Sequence, residues 1–460
     1  MTLRKNYQTV ICLTLSLVLG LTAANVCFAG KGGNGGKPGG GNPPPLPNIR
    51  YTITPVITPN GGYIYMDHNN DAAVVGWNTI DDSGLGRRSF AYLPGISTTQ
   101  AYYLDDPILG VSSIPNGWHT RSAIGINNVG TIVGNLEPDG ATENITERPF
   151  VIRNIYDPTP TLEVLGPFDP LADRESVNVV NDQGDFAVLS ERGPNGGYPD
   201  KVYVGNLSAP GAAVEIDFAV LGIGHLDIND GSFDNLKITN QDANGVATLV
   251  GVAQDGGQEW IFRTKLDGSS YEALQLGVPL FSDSAGTHSV SSIAPAIDIN
   301  DDGDVQLSIS VQSAKGKGKS NTYAAIWRQD DSAIVKVPGA NVTDSLYAMT
   351  NSDGDFLLPD YSTDSLWNAD WSASNGPIAI ADLIDPSDPN RSLFNGAREL
   401  TDRDATGWPT LVTNSGSTFL VLRPEVAASI NVVAVPEPTC LVLLGFSGLV
   451  IVSRRSIKVF

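Results

Sequence analysis

Between Ile49 and Pro424, short apolar runs alternate with clusters of Asn, Asp and Gly, and one phrase recurs throughout. An apolar residue or Thr precedes Asn or Asp, polar residues and a Gly or small residue follow, and a β-prone run begins. The first copies are Asn69-Asn70-Asp71-Ala72 before Ala73–Gly76, and Ile126–Gly130 before Thr131–Gly134. Val180–Gly184 before Phe186–Leu189 and Thr239-Asn240 with Asn244-Gly245 before Thr248–Gly251 follow. Then come Ile299–Gly303 before Val305–Leu307, Thr350–Gly354 before Phe356–Leu358, and a weaker Thr401-Asp402 with Thr406-Gly407 before Thr410–Val412. From Asn69 through Asn127, Asn181, Asn240, Asn300, Asn351 and Asp402 the steps are roughly 50 to 60 residues, a repeat array of seven.

The phrase has the chemistry of a hairpin: Asn or Asp caps its own turn, and Gly supplies the positive φ that closes it. A second β-prone run follows most copies: Ser89–Leu93, Pro149–Ile152, Lys201–Val204, Trp260–Phe262, Ala324–Trp327 and Ser417–Val421. The sixth copy offers only Leu366-Trp367. No segment of the middle sustains a 3.6-residue period with caps, so it reads as all-β. Hairpin units of ~50 residues cannot each bury a core and must stack. Seven four-stranded units predict a repeat-built β-propeller of seven blades, with Tyr51–Ile57 completing the last blade beside Phe419–Leu422. One or two β-sandwiches are the competing architecture.

The two ends read as addresses. Arg4-Lys5, an apolar stretch from Val10 to Leu21 and Cys27-Phe28-Ala29-Gly30 have the three parts of a secretory signal peptide, with cleavage expected between Ala29 and Gly30. The Gly-, Asn-, Lys- and Pro-rich stretch that follows is a tether. At the other end stand Val435-Pro436-Glu437-Pro438-Thr439-Cys440, an apolar run from Leu441 to Val452, and Ser453-Arg454-Arg455. The run is short for a full span, and the arginines would hold its end in the cytoplasm. An ordinary C-terminal anchor is the alternative. In order, spacing and position this tail resembles the PEP-CTERM sorting signal. The resemblance implies recognition by an exosortase of Gram-negative bacteria that make exopolysaccharide, with processing close to Pro436, Glu437 and Pro438. The phrase pair, clearest from Asn127 to Gly134, resembles the HAF-type extracellular repeat, which implies export more than any chemistry. The expected organisation is a signal peptide at 1–29, a linker at 30–48, the propeller at 49–424, a linker at 425–434 and the sorting signal with its transmembrane helix at 435–460.

Charge narrows the partners. The 28 Lys and Arg against 50 Asp and Glu give a formal charge of −22, which repels phosphate backbones and excludes nucleic acid as an expected partner. Cys12, Cys27 and Cys440 all lie in the two tails, so the exported part relies on burial without disulfides. Asp298-Ile299-Asn300-Asp301-Asp302-Gly303-Asp304 starts like a calcium loop, but Ile309 stands where the twelfth-position carboxylate belongs. Asn351–Asp355 is a shorter echo, and a turn is the stronger reading for both. No metal ligand or cofactor is therefore assigned, calcium being the minor reading. His68, His119, His225 and His288 show no ligand spacing, and no nucleophile elbow or metalloprotease motif occurs. Acid pairs such as Asp81-Asp82 and Asp105-Asp106 are too common to choose among. Trp118, beside Asn116-Gly117, is the tryptophan expected at the surface; Trp77, Trp260, Trp327, Trp367, Trp371 and Trp408 are expected in blades. The expectation is a secreted or cell-surface protein, briefly anchored in the inner membrane, that is not an enzyme and contacts exopolysaccharide, with no catalytic residue assigned. The alternative is a secreted propeller glycosidase or lyase.

Overall fold

The computed structural model describes residues 46–426 except 62–65, 79–86, 141–146, 192–199, 223–235, 256–257, 276–278, 284–285, 313–319, 330–333, 343–348, 359–363, 398 and 416–417. The leader, with Ala29 and Gly30, and the sorting tail, with Pro436, Glu437, Pro438, Arg454 and Arg455, lie outside the described residues. No helix among the described residues is long and apolar enough to cross a membrane.

The chain begins with β1 (Ile49–Ile57) and then lays down antiparallel sheets in sequence order. Blade 1 holds β2 (Met66–His68), β3 (Val74–Asn78), β4 (Arg88–Tyr92) and β5 (Tyr102–Tyr103). Blade 2 holds β6 (Trp118–Ile126), β7 (Ile132–Pro138), β8 (Arg148–Ile152) and β9 (Leu162–Val164). Blade 3 holds β10 (Arg174–Val180), β11 (Asp185–Glu191), β12 (Lys201–Asn206) and β13 (Val214–Glu215). Blade 4 holds β14 (Leu236–Ile238), β15 (Thr248–Asp255), β16 (Gln258–Lys265) and β17 (Tyr271–Gln275). Blade 5 departs from the expected four strands. It joins β18 (Pro279–Asp283) to β19 (Gly286–Ile299), β20 (Val305–Gln312), β21 (Ser320–Trp327) and β22 (Ile334–Val342), and β18 meets β22 at Phe281 and Ile334, closing a small barrel. Blade 6 holds β23 (Met349–Thr350), β24 (Phe356–Leu358), β25 (Ser365–Trp367) and β26 (Ile378–Ala379).

Two short helices flank β26, α1 (Ala369–Asn375) and α2 (Ile380–Leu383). They are too brief to leave a helical period in the sequence. Asn368 caps α1 by accepting from the Trp371 N–H. Blade 7 holds β27 (Glu399–Arg403), β28 (Pro409–Ser415) and β29 (Thr418–Val426), and β1 is its fourth strand. The ring therefore closes as a seven-bladed β-propeller, with Tyr51 opposite Pro424, Ile53 opposite Leu422 and Val56 opposite Phe419. The predicted closure strand is in place.

Among the described residues the core lies between blades, in seven apolar clusters. Ala123, Ile126 and Phe150 of blade 2 pack on Val75 and Leu93 of blade 1, whereas Val133 and Val151 of the same sheet pack on Val177 and Phe186 of blade 3. Both faces of each sheet are buried, so its middle strands read as continuous apolar runs rather than alternating ones. The Val-Gly end of the phrase has a packing reason: Gly76, Gly134 and Gly251 pair with Phe90, Phe150 and Phe262 on the neighbouring strand. Each of those rings is fully buried, and those of Phe150 and Phe262 lie against the bare backbone of Gly134 and Gly251.

Strand direction defines two ends of the molecule. Inner strands finish and second strands begin at one end, here the belt end, as Ile126 opposite Ile132 shows. The opposite, far end is where Trp118 faces Pro138. Ile49 and Val426 pair with each other at the belt end, so both tails depart from one point on the rim.

Candidate functional site

At the belt end the recurring phrase builds a ring. Asn69, Asn127, Asn181, Asn300 and Asn351 each accept from the N–H four residues on, as expected of turn caps, at 2.7 to 3.0 Å. Four of these amide groups also reach the next blade: Asn69 Nδ2 donates to Asn127 O at 3.2 Å, Asn127 to Asn181 O at 2.7 Å, Asn181 to Thr239 O at 2.8 Å and Asn351 to Thr401 O at 2.9 Å. The following residue extends the belt. The N–H of Asn70 donates to Asn128 Oδ1, that of Asn128 to Asp182, of Asp182 to Asn240 and of Asn240 to Asp301, at 2.7 to 3.0 Å. Ser352 donates likewise to Asp402, and Asp402 to Asn70 across the closure of the ring, both at 2.9 Å.

Thr239 and Thr401 occupy the Asn place in blades 4 and 7, where the hydroxyl accepts from Thr248 and Thr410 at 2.9 Å. Asn240 and Asp402 are thus counterparts of Asn70 and Asn128, one residue later than the sequence spacing alone suggests. The calcium-like segment is another link of this belt. Asp298 accepts from Thr350 N, Asp301 from Asn240 N and Asp304 from Gln329 N, each on a different strand or turn. Among the described residues no group of three or more His, Cys, Asp or Glu is arranged to hold a metal ion.

Behind the belt the inner strands enclose a cavity of about 220 Å³. Asp67, His68, Lys237, Asp298 and Glu399 line it, with Asp182, Asp301 and Asp402 of the belt. Burial presses the His68 imidazole below its usual range, against the opposing pull of Asp67. Burial likewise raises the Asp298 carboxyl, with Lys237 opposing.

The far end is chemically different. Glu147, 1% exposed, pairs with Arg174, whose Nε lies 3.0 Å away, and also meets Arg121 on the same oxygen. Its second oxygen takes the Asn135 amide at 3.1 Å. Arg121 also reaches Glu137 at 3.2 Å, and Arg174 reaches Glu191 at 3.5 Å. His119 is nearly buried, with Nδ1 3.1 Å from Asp139 and Nε2 3.7 Å from Glu137. Arg148 lies 3.7 Å from buried Glu175, which also accepts the N–H groups of Phe168 and Asp169 at 2.7 Å. Arg88 meets Asp105 and stacks 4.0 Å over the Tyr103 ring. Trp118, singled out in the sequence for exposure, stands half-buried at this rim.

Of the histidines, His68 and His119 fall at opposite ends of blades 1 and 2, far from any shared site. The far-end cluster has one sequence signal that the repeat phrase conceals. Arg88 and Arg148 each stand directly before the Ser/Pro-Phe run that forms the third strand of their blades.

No family model and no curated protein matches the chain. Solved propellers of similar fold include an ancestral GH74 enzyme at 13% identity, with a TM-score of 0.43 over 82% of this chain and 48% of that one. The chain thus spans about half the length of that enzyme. They also include the polysaccharide lyase Uly1 at 9% identity, with a TM-score of 0.40 over 82% of this chain and 97% of that one. A third is the β-propeller domain of the Trilobed protease from Pyrococcus furiosus, at 10% identity, with a TM-score of 0.38 over 68% of this chain and 84% of that one. The likeness is one of fold, and no activity passes from these proteins to this chain. It does correct the expectation that the chain is not an enzyme. The structures it resembles include a GH74 enzyme and a polysaccharide lyase.

Proposed function

We propose that the chain is an exported propeller, sorted to the cell surface or extracellular matrix by its two tails, that binds extracellular polysaccharide. The observation behind this reading is the departure of both tails from one rim point at the belt end, where Ile49 pairs with Val426. A tether there turns the far end, with its arginines, carboxylates and Trp118, away from the membrane. In this reading the leader is removed after Ala29, the C-terminal helix holds the chain transiently in the inner membrane, and an exosortase acts near Pro436-Glu437-Pro438.

The test is fractionation of the tagged chain in a Gram-negative host with and without its exosortase. Surface or medium delivery of a shortened chain should require the exosortase and be lost with Glu437→Ala. A full-length chain that stays in the cytosol in both hosts rejects the proposal.

A second reading is that the far end also cuts the polymer, as a glycosidase or lyase. It is favoured by His119, whose Nδ1 is held by Asp139 beside Glu137, and by Glu137 and Glu147 meeting one guanidinium. Incubating the polysaccharide with the protein and assaying for new reducing or unsaturated ends tests it. Turnover lost in Glu137→Gln supports cutting, and intact polymer rejects it.

A further inference from the structure

We propose that the far end of blades 1 to 3 is a binding site for an anionic sugar unit, a uronate or a sugar sulfate within a polymer, recognised by Arg87, Arg121, Arg148 and Arg174. This deepens the surface-binding reading and rests on it for its polymeric ligand.

The placement of charge is the first support. In a chain of net charge −22, β4, β8 and β10 all open with an arginine at the far end: Arg88 opposite Asn78, Arg148 opposite Leu136 and Arg174 opposite Glu191. Arg121 lies near the far-end start of β6, and Arg87 directly precedes β4.

The second support is how these groups are held. Buried Glu147 anchors Arg121 and Arg174 through one shared oxygen, so neither guanidinium has to be ordered by the ligand. Their side chains remain 19% and 25% exposed. A guanidinium carries five N–H donors in a fixed fork that fits carboxylate and sulfate oxygens, and the carboxylates here take only some of them. Three acidic groups at this rim already have partners, Glu137 against Arg121, Asp139 against His119 and Glu191 against Arg174, while Asp173 beside Arg174 is exposed.

Arg87 is the third support. It makes no ion pair with the described residues and is half-buried. Burial, then Arg121 and Arg174, make its charged form less favourable, against the pull of Glu147 and Glu137. Three guanidiniums crowd a region whose buried carboxylate is already shared by two of them. An incoming anion relieves that crowding. Half-buried Trp118 and the Arg88–Tyr103 stack supply flat surfaces beside it, suited to the face of a pyranose ring.

The experiment titrates the full chain, purified in mild detergent, with oligogalacturonate, a sulfated galactan oligosaccharide and a neutral cello-oligosaccharide of equal length. Calorimetry at several salt concentrations reads affinity. At least one anionic probe should bind tenfold or more tightly than the neutral one, and its affinity should fall as salt rises. Arg87→Gln removes no ion pair with the described residues and should weaken that binding at least tenfold with an unchanged melting temperature. Arg153→Gln, whose arginine pairs with Glu163 just after β8 at the belt end, should leave it unchanged. Equal affinity for the neutral probe, no binding by the folded chain, or indifference to Arg87→Gln each overturns the site. Export is read separately: a chain that binds uronate yet stays cytosolic sinks the surface reading alone, and a sorted chain that ignores both anions sinks this one.

Discussion

The repeat places opposite demands on small residues. At Gly134 the backbone lies so close to Ser122 O and the Phe150 ring that an added Cβ would fall 2.0 and 2.8 Å from them. Gly134→Ala should therefore cost about 2–3 kcal/mol, at the upper end of overpacking penalties, read as a lowered urea midpoint with unchanged slope. The turn position is different. Gly130 has φ 83° beneath the Tyr156 ring, and its counterpart in blade 1 is Ala72 at φ 59°. Blade 1 thus holds a side chain in a conformation that the other turns reserve for glycine.

His68 adds a pH dependence. Its pKa is lowered on folding, so the unfolded chain binds the proton more readily. Stability is then whole above the ordinary histidine value of about 6.5 and is lost as pH falls through the window below it. Asp298 has the opposite sign: its carboxyl is raised by folding, so acidification lessens its penalty. His68→Gln should flatten the loss of stability between about pH 6.5 and 5, measured as urea midpoints across that range. A slope equal to that of the parent would refute the assignment.

At the scale of elements, the belt couples each hairpin to the next. Asn127 is the clearest link, since one buried side chain caps Thr131 N and donates to Asn181 O. Asn127→Ala leaves both backbone groups without that partner in a buried setting and should cost about 2–4 kcal/mol. Asn127→Asp keeps the cap but loses the donor, and should fall between the two in thermal melts. A stronger link joins blades 6 and 7, where Arg403 grips fully buried Asp355 with Nε at 2.9 Å and Nη2 at 2.6 Å.

Much of this level was legible in the sequence, because a turn is a local object. Asn, the polar pair and Gly determine it within five residues, and the seven copies gave the blade count and the closing strand. The inter-blade amides were not legible, since they join residues some 50 to 60 apart whose register depends on packing. That is also why Thr239 and Thr401 were passed over in favour of Asn240 and Asp402. The far-end cluster was hidden for a related reason: its arginines come from three blades, and only strand direction brings them to one end. The fifth strand of blade 5 and the short helices of blade 6 had no repeat signal at all.

For the whole molecule, the decisive contact is the pairing of the two ends of the propeller. β1 contributes Ile49, Tyr51 and Ile53 to the cluster between blades 6 and 7, and Val56 to the cluster between blades 7 and 1. Tyr51 also donates its hydroxyl to Pro409 O at 2.7 Å from a fully buried position. Beside the Asp402–Asn70 link of the belt, β1 ties the last blade to the first and acts on two interfaces at once. Two truncations separate its role from that of the preceding tether. Deletion of residues 1–47 removes from the described structure only exposed Leu46 and half-buried Pro47, with its long hydrogen bond from Arg50, and should leave the melting temperature within about 2 °C, a shift equivalent to about 1–2 kcal/mol. Deletion of residues 1–57 uncovers the β29 edge and takes several large buried side chains from the core, each worth about 2–5 kcal/mol. That is comparable to the whole stability of an ordinary domain, roughly 5–15 kcal/mol. The shorter chain should lose its cooperative melt or associate through the bare strand, which calorimetry and gel filtration together would detect. A monomer that melts as sharply as the parent would mean that the belt alone closes the ring.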